Sequence, residues 1–125
     1  MDLSFFWIAV AVALIGWKIY SMRRSPEQLA DIQAAVDSGA VIVDVRSPAE
    51  FASGHLPGAR NVPVGEVGGL ADEIDGLTAI VYCASGTRSA RAASKLRSAG
   101  VQVLDLGTLR NGQMLRFQNK DAPCQ

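Results

Sequence analysis

The sequence predicts an α/β domain with a small, mainly parallel sheet flanked by helices, preceded by one transmembrane helix. Apolar, β-rich runs alternate with stretches of helix-forming residues, and this alternation is typical of parallel sheets. An uncharged apolar segment comes before them. About half of the 125 residues are hydrophobic, which leaves room for one modest domain. We expect an anchor with a short linker at residues 1–24, the domain at 25–119 and a tail at 120–125.

The N-terminal segment has the length and composition of a short membrane-spanning helix. Residues 3–17 carry no charge, and Lys18 extends the span if its ammonium group reaches the headgroups. Aromatic residues stand near both ends, as in the belts at membrane interfaces: Phe5, Phe6, Trp7, Trp17 and Tyr20. A core helix of the soluble domain is excluded because the segment is apolar on every face. We therefore expect residues 3–20 to contact a lipid bilayer.

The charges around this segment predict its orientation. Lys18, Arg23 and Arg24 all follow the apolar run, so the positive-inside rule places the domain in the cytoplasm and the N-terminus outside the inner membrane. A cleavable signal peptide is the main alternative. It would require a positively charged start, whereas Asp2 precedes the run, and we therefore favour an uncleaved single-pass anchor.

The first half of the predicted domain contains two helix starts of the same kind. Residues 25–28, Ser-Pro-Glu-Gln, combine a serine cap, a proline at the first helical position and a glutamine three residues after the cap. This helix ends before Gly39, and the β-branched run at 41–45 predicts a buried parallel strand. Residues 47–50, Ser-Pro-Ala-Glu, repeat the capping pattern and open a short helix that ends at Gly54.

The second half of the domain continues the alternation of strands and helices. Residues 59–64 predict an irregular or short extended piece, and 66–74 predict a weak helix interrupted by two glycines. Strands are expected at 77–82 and 101–104, with a helix at 89–99 between them. The last segment has four apolar residues that would anchor it: Leu109, Met114, Leu115 and Phe117.

A cysteine at the end of a predicted strand is a candidate nucleophile. Residues 83–88, Cys-Ala-Ser-Gly-Thr-Arg, form a strand-to-helix turn. The loop N–H groups and the positive end of the helix dipole point at the sulfur there and favour its thiolate. Gly86 lets the backbone turn inward, and ligands bind beyond the carboxyl ends of strands in such sheets. The local sequence is equally compatible with Cys83 as a small buried hydrophobe.

Composition and motifs argue against several other classes. The formal net charge is zero and no basic stripe appears, which argues against a nucleic-acid partner. Two cysteines cannot form a disulfide framework and fit a reducing compartment; Cys124 is expected to be a bystander, with a resolving role left open. One histidine and two distant cysteines do not supply the usual zinc ligands, and no phosphate-binding glycine fingerprint is present. We therefore expect no metal and no cofactor.

Two long motifs resemble those of the rhodanese-like sulfurtransferases. Residues 43–51 (VDVRSPAEF) and 54–63 (GHLPGARNVP) resemble the first signature of that family. Residues 83–88 resemble its active-site loop, in which a cysteine is followed by two residues, a glycine, one residue and an arginine. The resemblance covers residues 41–107 and implies the rhodanese-like fold.

The resemblance also implies a sulfur-transfer reaction. Cys83 would accept a sulfane sulfur from thiosulfate or a persulfide, become a persulfide, and pass the sulfur to a thiol, cyanide or protein acceptor. Thiolate chemistry agrees, because a persulfide anion needs the same N–H donors as the thiolate. The other loop residues would surround the bound sulfur and the substrate: Ala84, Ser85, Gly86, Thr87 and Arg88.

The matched residues outside the loop are assigned to structural support. Arg88 would either hold an anionic donor or brace the loop by pairing with Asp44 or Glu50, and we favour bracing. Asp44, Arg46 and Glu50 match family positions with a scaffold role. His55 belongs to a turn in the matching signature, and sulfur transfer between thiolates needs no general base, so His55 is expected to be structural.

The sequence departs from the family pattern at three points. Residues 22–24 stand where the family usually has a short first strand, and residues 107–109 stand where it commonly has paired glycines and a tryptophan. Ala84 occupies a position that is often basic or bulky in relatives that handle thiosulfate. The donor therefore stays open between thiosulfate and a persulfide.

Two alternative functions accompany this interpretation. A phosphatase family shares the fold, but its loop has one more residue between cysteine and arginine to fit a tetrahedral phosphate, whereas four residues separate Cys83 from Arg88. A membrane-tethered module that carries or senses sulfur, or docks a partner, with slow or no turnover is the second alternative. The intact cysteine loop favours the enzyme.

Overall fold

A computed structural model describes residues 2–74 and 76–117, and within them a four-stranded sheet, six α-helices and one 3-10 helix. The strands are β1 (Val41–Asp44), β2 (Arg60–Asn61), β3 (Ala79–Cys83) and β4 (Val103–Thr108). The α-helices are α1 (Leu3–Ser21), α2 (Pro26–Asp37), α3 (Pro48–Ala52), α4 (Leu70–Glu73), α5 (Thr87–Ser98) and α6 (Leu109–Gly112). The 3-10 helix spans Val64–Gly69.

The sheet is parallel throughout, in the order β2-β1-β3-β4, which confirms the predicted α/β class. All five residues of the central strand β3 are buried, as expected for a parallel strand covered by helices on both faces. The carboxyl ends of β1 and β3 lie side by side, since Asp44 pairs with Tyr82 in the register. This edge of the sheet is where the candidate site residues gather.

Two hydrophobic clusters cover the two faces of the sheet. One joins Val43 and Val81 to Ala92 and Leu96 of α5. The other joins Ile42, Ile80 and Tyr82 to Ile32 of α2 and to Leu106. Alternate residues of β1 and β3 therefore point to opposite faces, and each face is covered by one of the two long helices of the domain.

Both predicted capping boxes are confirmed. The Gln28 backbone N–H donates to Ser25 Oγ (3.2 Å) while Gln28 Oε1 accepts from the Ser25 N–H (2.9 Å). Ser47 and Glu50 make the same reciprocal pair at the start of α3. Each box satisfies two backbone groups that a helix end would otherwise leave without partners.

The predicted bounds of the later elements were wrong by several residues. β4 runs over 103–108 and not 101–104, because a bulge in β4 accommodates Gly107, at a φ of +86°, inside the strand. α5 begins at Thr87, two residues earlier than expected, so the cysteine loop is shorter. The weak helix expected at 66–74 is a 3-10 helix followed by the single turn of α4. The short extended piece at 59–64 contains β2.

Helix α1 has no buried residue, and its large apolar side chains are exposed, Trp7 by 63% and Trp17 by 70%. By length and composition it is long and apolar enough to cross a membrane, and a signal sequence would meet the same criteria. Residues 22–24, which follow it, form no strand. The tail expected at 120–125, with Cys124, lies outside the described residues, as do the last two residues of the domain expected at 25–119.

Candidate active site

Cys83 is the last residue of β3 and is fully buried at the carboxyl edge of the sheet. Its Sγ atom accepts two backbone hydrogen bonds, from the N–H of Gly86 at 2.9 Å and from the N–H of Ser89 at 3.4 Å. The first requires the chain to turn back on itself, and Gly86 does so at a φ of +96°, which L-residues with a side chain rarely adopt. The predicted convergence of loop N–H groups on the sulfur is therefore present.

The rest of the loop is open to solvent. Ala84, Ser85 and Thr87 are exposed, whereas Gly86 is half-buried. Thr87 begins α5, a helix of 12 residues whose N-terminal end faces this edge of the sheet. The partial positive charge of that end adds to the N–H groups that point at Cys83.

Ser89 connects the loop to the neighbouring strand. Its hydroxyl has two carbonyl acceptors within reach, Gly86 O at 3.0 Å and Gly107 O at 3.3 Å, and its side chain is fully buried. The hydroxyl therefore ties the loop glycine to the bulge of β4 and fixes the backbone whose N–H groups contact the sulfur.

The structure places Arg88 on Glu50 in a two-point ion pair. Arg88 Nη1 donates to Glu50 Oε1 at 2.7 Å and Nη2 donates to Oε2 at 3.1 Å. The hydrogen bond from Arg88 is the main reason that the pKa of Glu50 falls from its usual 4.5 to about 2, and the same bond raises the pKa of Arg88. Glu50 also caps α3, so the pair links the cysteine loop to the start of α3.

Asp44 and Arg46 form a buried ion pair beside the loop. Arg46 Nη2 donates to Asp44 Oδ2 at 2.7 Å and to the carbonyl of Gly54 at 2.6 Å. Its Nε contacts both carboxylate oxygens, and the hydrogen bond to Asp44 is the main cause that raises the pKa of Arg46. Asn61 Nδ2 donates to the carbonyls of Asp44 and Arg46. The guanidinium thus holds together the segment after β1 and the turn at Gly54.

His55 stacks on Phe51, and the hydrogen bonds at Cys83 Sγ come from other residues. The ring centroids are 3.8 Å apart and the planes lie within 8° of each other. His55 Nδ1 is 3.0 Å from the Phe51 carbonyl oxygen, which can only accept, so Nδ1 carries the proton. The next residue, Leu56, donates its N–H to the Tyr82 hydroxyl at 3.0 Å, and burial raises the pKa of that hydroxyl.

A comparison with known protein families identifies the family of this domain. The family model described as "Rhodanese-like domain" matches residues 25–109 of this chain. The chain belongs to the rhodanese-like family. The match includes both signatures and every residue placed at the carboxyl edge of the sheet above.

Several known proteins are similar to this chain in sequence. The uncharacterized protein YqhL of Bacillus subtilis is 42% identical over 93 residues, which are 74% of each chain. The thiosulfate sulfurtransferase GlpE of Pseudomonas putida is 35% identical over 79 residues, 62% of this chain and 70% of that one. A tRNA sulfurtransferase of Thermoplasma acidophilum is 36% identical over 70 residues, 56% of this chain. This chain spans 14% of the length of that enzyme.

A solved rhodanese-like structure also superposes on this chain. The structure described as a rhodanese with anions from E. coli gives a TM-score of 0.55 at 31% sequence identity. The superposition covers 58% of this chain and 91% of that one.

All four residues assigned to structural support lie within the family match: Asp44, Arg46, Glu50 and His55. Each makes a contact described above, and their roles stay predictions.

Some residues around the rhodanese-like site were not predicted. Ser89 stands directly after the loop motif, and its position in the first turn of the next helix could have indicated a contact with the loop. Asn61 and Tyr82 lie within predicted elements, but nothing in the sequence indicated their polar contacts.

Within residues 2–74 and 76–117, the structure contains no group of three or more His, Cys, Asp or Glu side chains that could hold a metal ion.

Proposed function

We propose that this protein is a membrane-anchored sulfurtransferase that carries sulfane sulfur as a persulfide on Cys83. The observation that carries the proposal is the pair of backbone N–H groups at Cys83 Sγ, from Gly86 and Ser89. Neutral donors fixed by the fold stabilise an anion without reorganisation, both as the thiolate and as the persulfide. Membership of the rhodanese-like family, with relatives named as sulfurtransferases, supports the same reaction.

The proposed reaction has two displacement steps. The Cys83 thiolate attacks the outer sulfur of thiosulfate, an S–S bond to Sγ forms, and the S–S bond of the donor breaks, so that sulfite leaves with the electron pair. A small persulfide reacts in the same way and releases a thiolate. An acceptor thiolate or cyanide then attacks the outer sulfur of the Cys83 persulfide and restores the Cys83 thiolate. No external oxidant or reductant is needed.

The choice of donor depends on the exposed half of the loop. Arg88, the cation of the loop motif, is engaged at two points by Glu50, and Ala84 offers no charge to an anionic donor. This arrangement suits small persulfides at least as well as thiosulfate. A relative named thiosulfate sulfurtransferase supports thiosulfate, and one named tRNA sulfurtransferase supports a macromolecular sulfur acceptor. We propose both donor classes, with a thiol, cyanide or protein as acceptor.

Helix α1 is proposed to anchor this activity in the inner membrane. Its apolar side chains have no partner within the described chain that would bury them. By the positive-inside rule, the cations at its C-terminal end support a domain in the cytoplasm and an N-terminus outside. Membranes from cells that express the full chain should retain it after an alkaline wash, and protease should reach the domain only from the cytoplasmic side. A mature chain that begins after α1 would instead support a signal peptide.

Mass spectrometry of the full chain in detergent tests the reaction. A Cys124→Ser background leaves Cys83 as the single thiol. After incubation with thiosulfate or a small persulfide, the intact protein should gain the mass of one sulfur atom and lose it again on addition of cyanide. Cys83→Ser is the control and should gain nothing. A Cys124→Ser protein that never gains sulfur refutes the proposal; one that gains sulfur and does not pass it on is a sulfur-carrying module.

A further inference from the structure

The segment that leaves helix α1 contacts the strand next to the cysteine loop. Arg24 Nε donates to the carbonyl of Asp105 at 2.8 Å, and Arg24 Nη2 lies 3.5 Å from Asp105 Oδ2. Asn111 Nδ2 donates to the carbonyls of Met22 and of Leu106. The side chains of Arg24 and Asp105 are each 19% exposed, so this ion pair is well shielded. The linker is therefore fixed to β4 by charge and by hydrogen bonds.

The contact falls on an irregularity of β4. In the pairing with β3, Val81 faces Asp105 but Tyr82 faces Gly107, so Leu106 is the extra residue of a β-bulge. Asp105 Oδ1 accepts the N–H of Gly107 at 2.9 Å and closes the bulge. A Cβ at Gly107 would lie 2.9 Å from Arg24 Nη2. The Arg24 guanidinium thus packs directly against the bulge that its partner Asp105 holds.

The bulge in turn supports the backbone around the sulfur. The Gly107 carbonyl is an acceptor for the Ser89 hydroxyl, which also reaches the Gly86 carbonyl. Gly86 and Ser89 are the two residues whose N–H groups contact Cys83 Sγ. A continuous set of contacts therefore runs from Arg24 through Asp105 and Gly107 to the hydrogen-bond donors of the sulfur.

A surface cavity of about 280 Å³ lies where the two parts meet. Its walls include Lys18 and Arg24 from the linker side, and Ser85 and Thr87 from the cysteine loop. The end of α1 and the exposed half of the loop therefore share one open face. This adjacency offers a second way in which Arg24 could act, by direct contact with an anionic donor, and the experiment below separates the two.

We propose that Arg24 is a positioning residue of the sulfur site, which couples the exit of helix α1 to the geometry of the cysteine loop. The proposal rests on the sulfurtransferase function proposed above. Without the guanidinium, Asp105 loses its partner, the bulge at Gly107 loses its cover, and the Ser89 and Gly86 N–H groups are held less firmly at Sγ. Persulfide formation then slows although Arg24 does not touch the reacting atoms.

The test compares variants of the full chain in detergent or lipid nanodiscs. Arg24→Gln should lower the maximal rate of persulfide formation about five- to tenfold, with an unchanged thiosulfate concentration for half-maximal rate. Arg24→Lys should recover part of the loss, and Asp105→Asn should reproduce it. Arg23→Ala is the matched control, because Arg23 is the exposed neighbouring cation and its loss should leave the rate unchanged. Melting temperatures show whether each variant is folded.

Two further measurements sharpen the result. If the coupling runs through Ser89, the effects of Arg24→Gln and Ser89→Ala on the maximal rate should be less than additive in the double variant. In the Cys124→Ser background, alkylation of Cys83 by iodoacetamide should be slower in Arg24→Gln than in the parent chain. This readout does not require sulfur transfer, so it tests the coupling even if the wild-type chain gains no sulfur and the proposed function fails.

Three outcomes would overturn the positioning role. One is a wild-type maximal rate and a wild-type alkylation rate in folded Arg24→Gln and Asp105→Asn. Another is an increase in the thiosulfate concentration for half-maximal rate at an unchanged maximal rate, which would assign direct donor contact to Arg24. The third is an equal loss in Arg23→Ala, which would indicate a general effect of charge near the headgroups.

Discussion

The buried ion pair between Asp44 and Arg46 allows a quantitative test of the scaffold under the cysteine loop. Asp44 is fully buried and the Arg46 side chain is 7% exposed, and the guanidinium also donates to the Gly54 carbonyl. Arg46→Met keeps an unbranched apolar stem and removes the guanidinium with its charge. The Asp44 carboxylate is then left buried with its backbone contact to Arg46 N and without a cation.

The expected cost follows from this burial. Breaking a buried ion pair by removing one partner costs about 3–5 kcal/mol, because the other charge stays desolvated. The exposed pair between Arg60 and Glu73 provides the matched control, since its side chains are 48% and 59% exposed. An exposed pair contributes about 0–1 kcal/mol, so Arg60→Met should cost little. Against a typical free energy of unfolding of about 5–15 kcal/mol, the two variants should be clearly resolved.

Urea unfolding of the full chain in a mild detergent, followed by circular dichroism, measures both variants. Asp44→Asn in the Arg46→Met background should recover part of the loss, because the uncompensated charge is gone. If Arg46→Met costs no more than Arg60→Met, the buried pair does not stabilise the scaffold. If the double variant is no more stable than Arg46→Met alone, the loss does not arise from the unpaired carboxylate.

Three further predictions concern residues around the site. The pKa of Glu50 is lowered from its ordinary 4.5 to about 2, so the Glu50–Arg88 pair should stabilise the fold fully above about pH 4.5. This stabilisation should be lost as the pH falls through about 2, and the melting temperature of Glu50→Gln should lack this part of the pH dependence. Gly107→Ala should cost about 1–3 kcal/mol in urea unfolding, because φ is +86° there, and an unchanged midpoint would contradict this. Tyr82→Phe should cost about 1–3 kcal/mol, because the buried N–H of Leu56 loses its acceptor; a cost near zero would mean that water replaces it.

The elements that the sequence predicts well are those whose local pattern and tertiary packing agree. The run at 41–45 is apolar and β-branched, and β1 is buried between two strands. Ser25 and Ser47 carry complete capping boxes, and both helices begin where the boxes place them. The cysteine loop was located for the same reason, since a strand, a glycine and a helix start follow each other in the sequence.

The contacts that the sequence did not predict depend on residues far apart in the chain. Asp105 and Gly107 are residue types that strands disfavour, yet both lie inside β4, at the bulge, where Asp105 Oδ1 accepts the N–H of Gly107. Asp105 also pairs with Arg24, which is 81 residues away in the chain, and a local sequence pattern carries no information about such a partner. In the sequence, Ser89 is an ordinary serine in the first turn of a helix, and only the fold brings the Gly107 carbonyl within hydrogen-bond distance of its hydroxyl.

The pairing of Arg88 with Glu50 bears on how the loop selects its substrate. With both terminal guanidinium nitrogens on the carboxylate, the groups that face Cys83 Sγ are backbone N–H donors. Such donors favour an anion at one fixed point but do not distinguish thiosulfate from a small persulfide. Under the proposed function, selection among donors then falls to the open face that the exposed half of the loop shares with Lys18. The segment proposed as the membrane anchor would in this way also contribute to the chemistry of the active site.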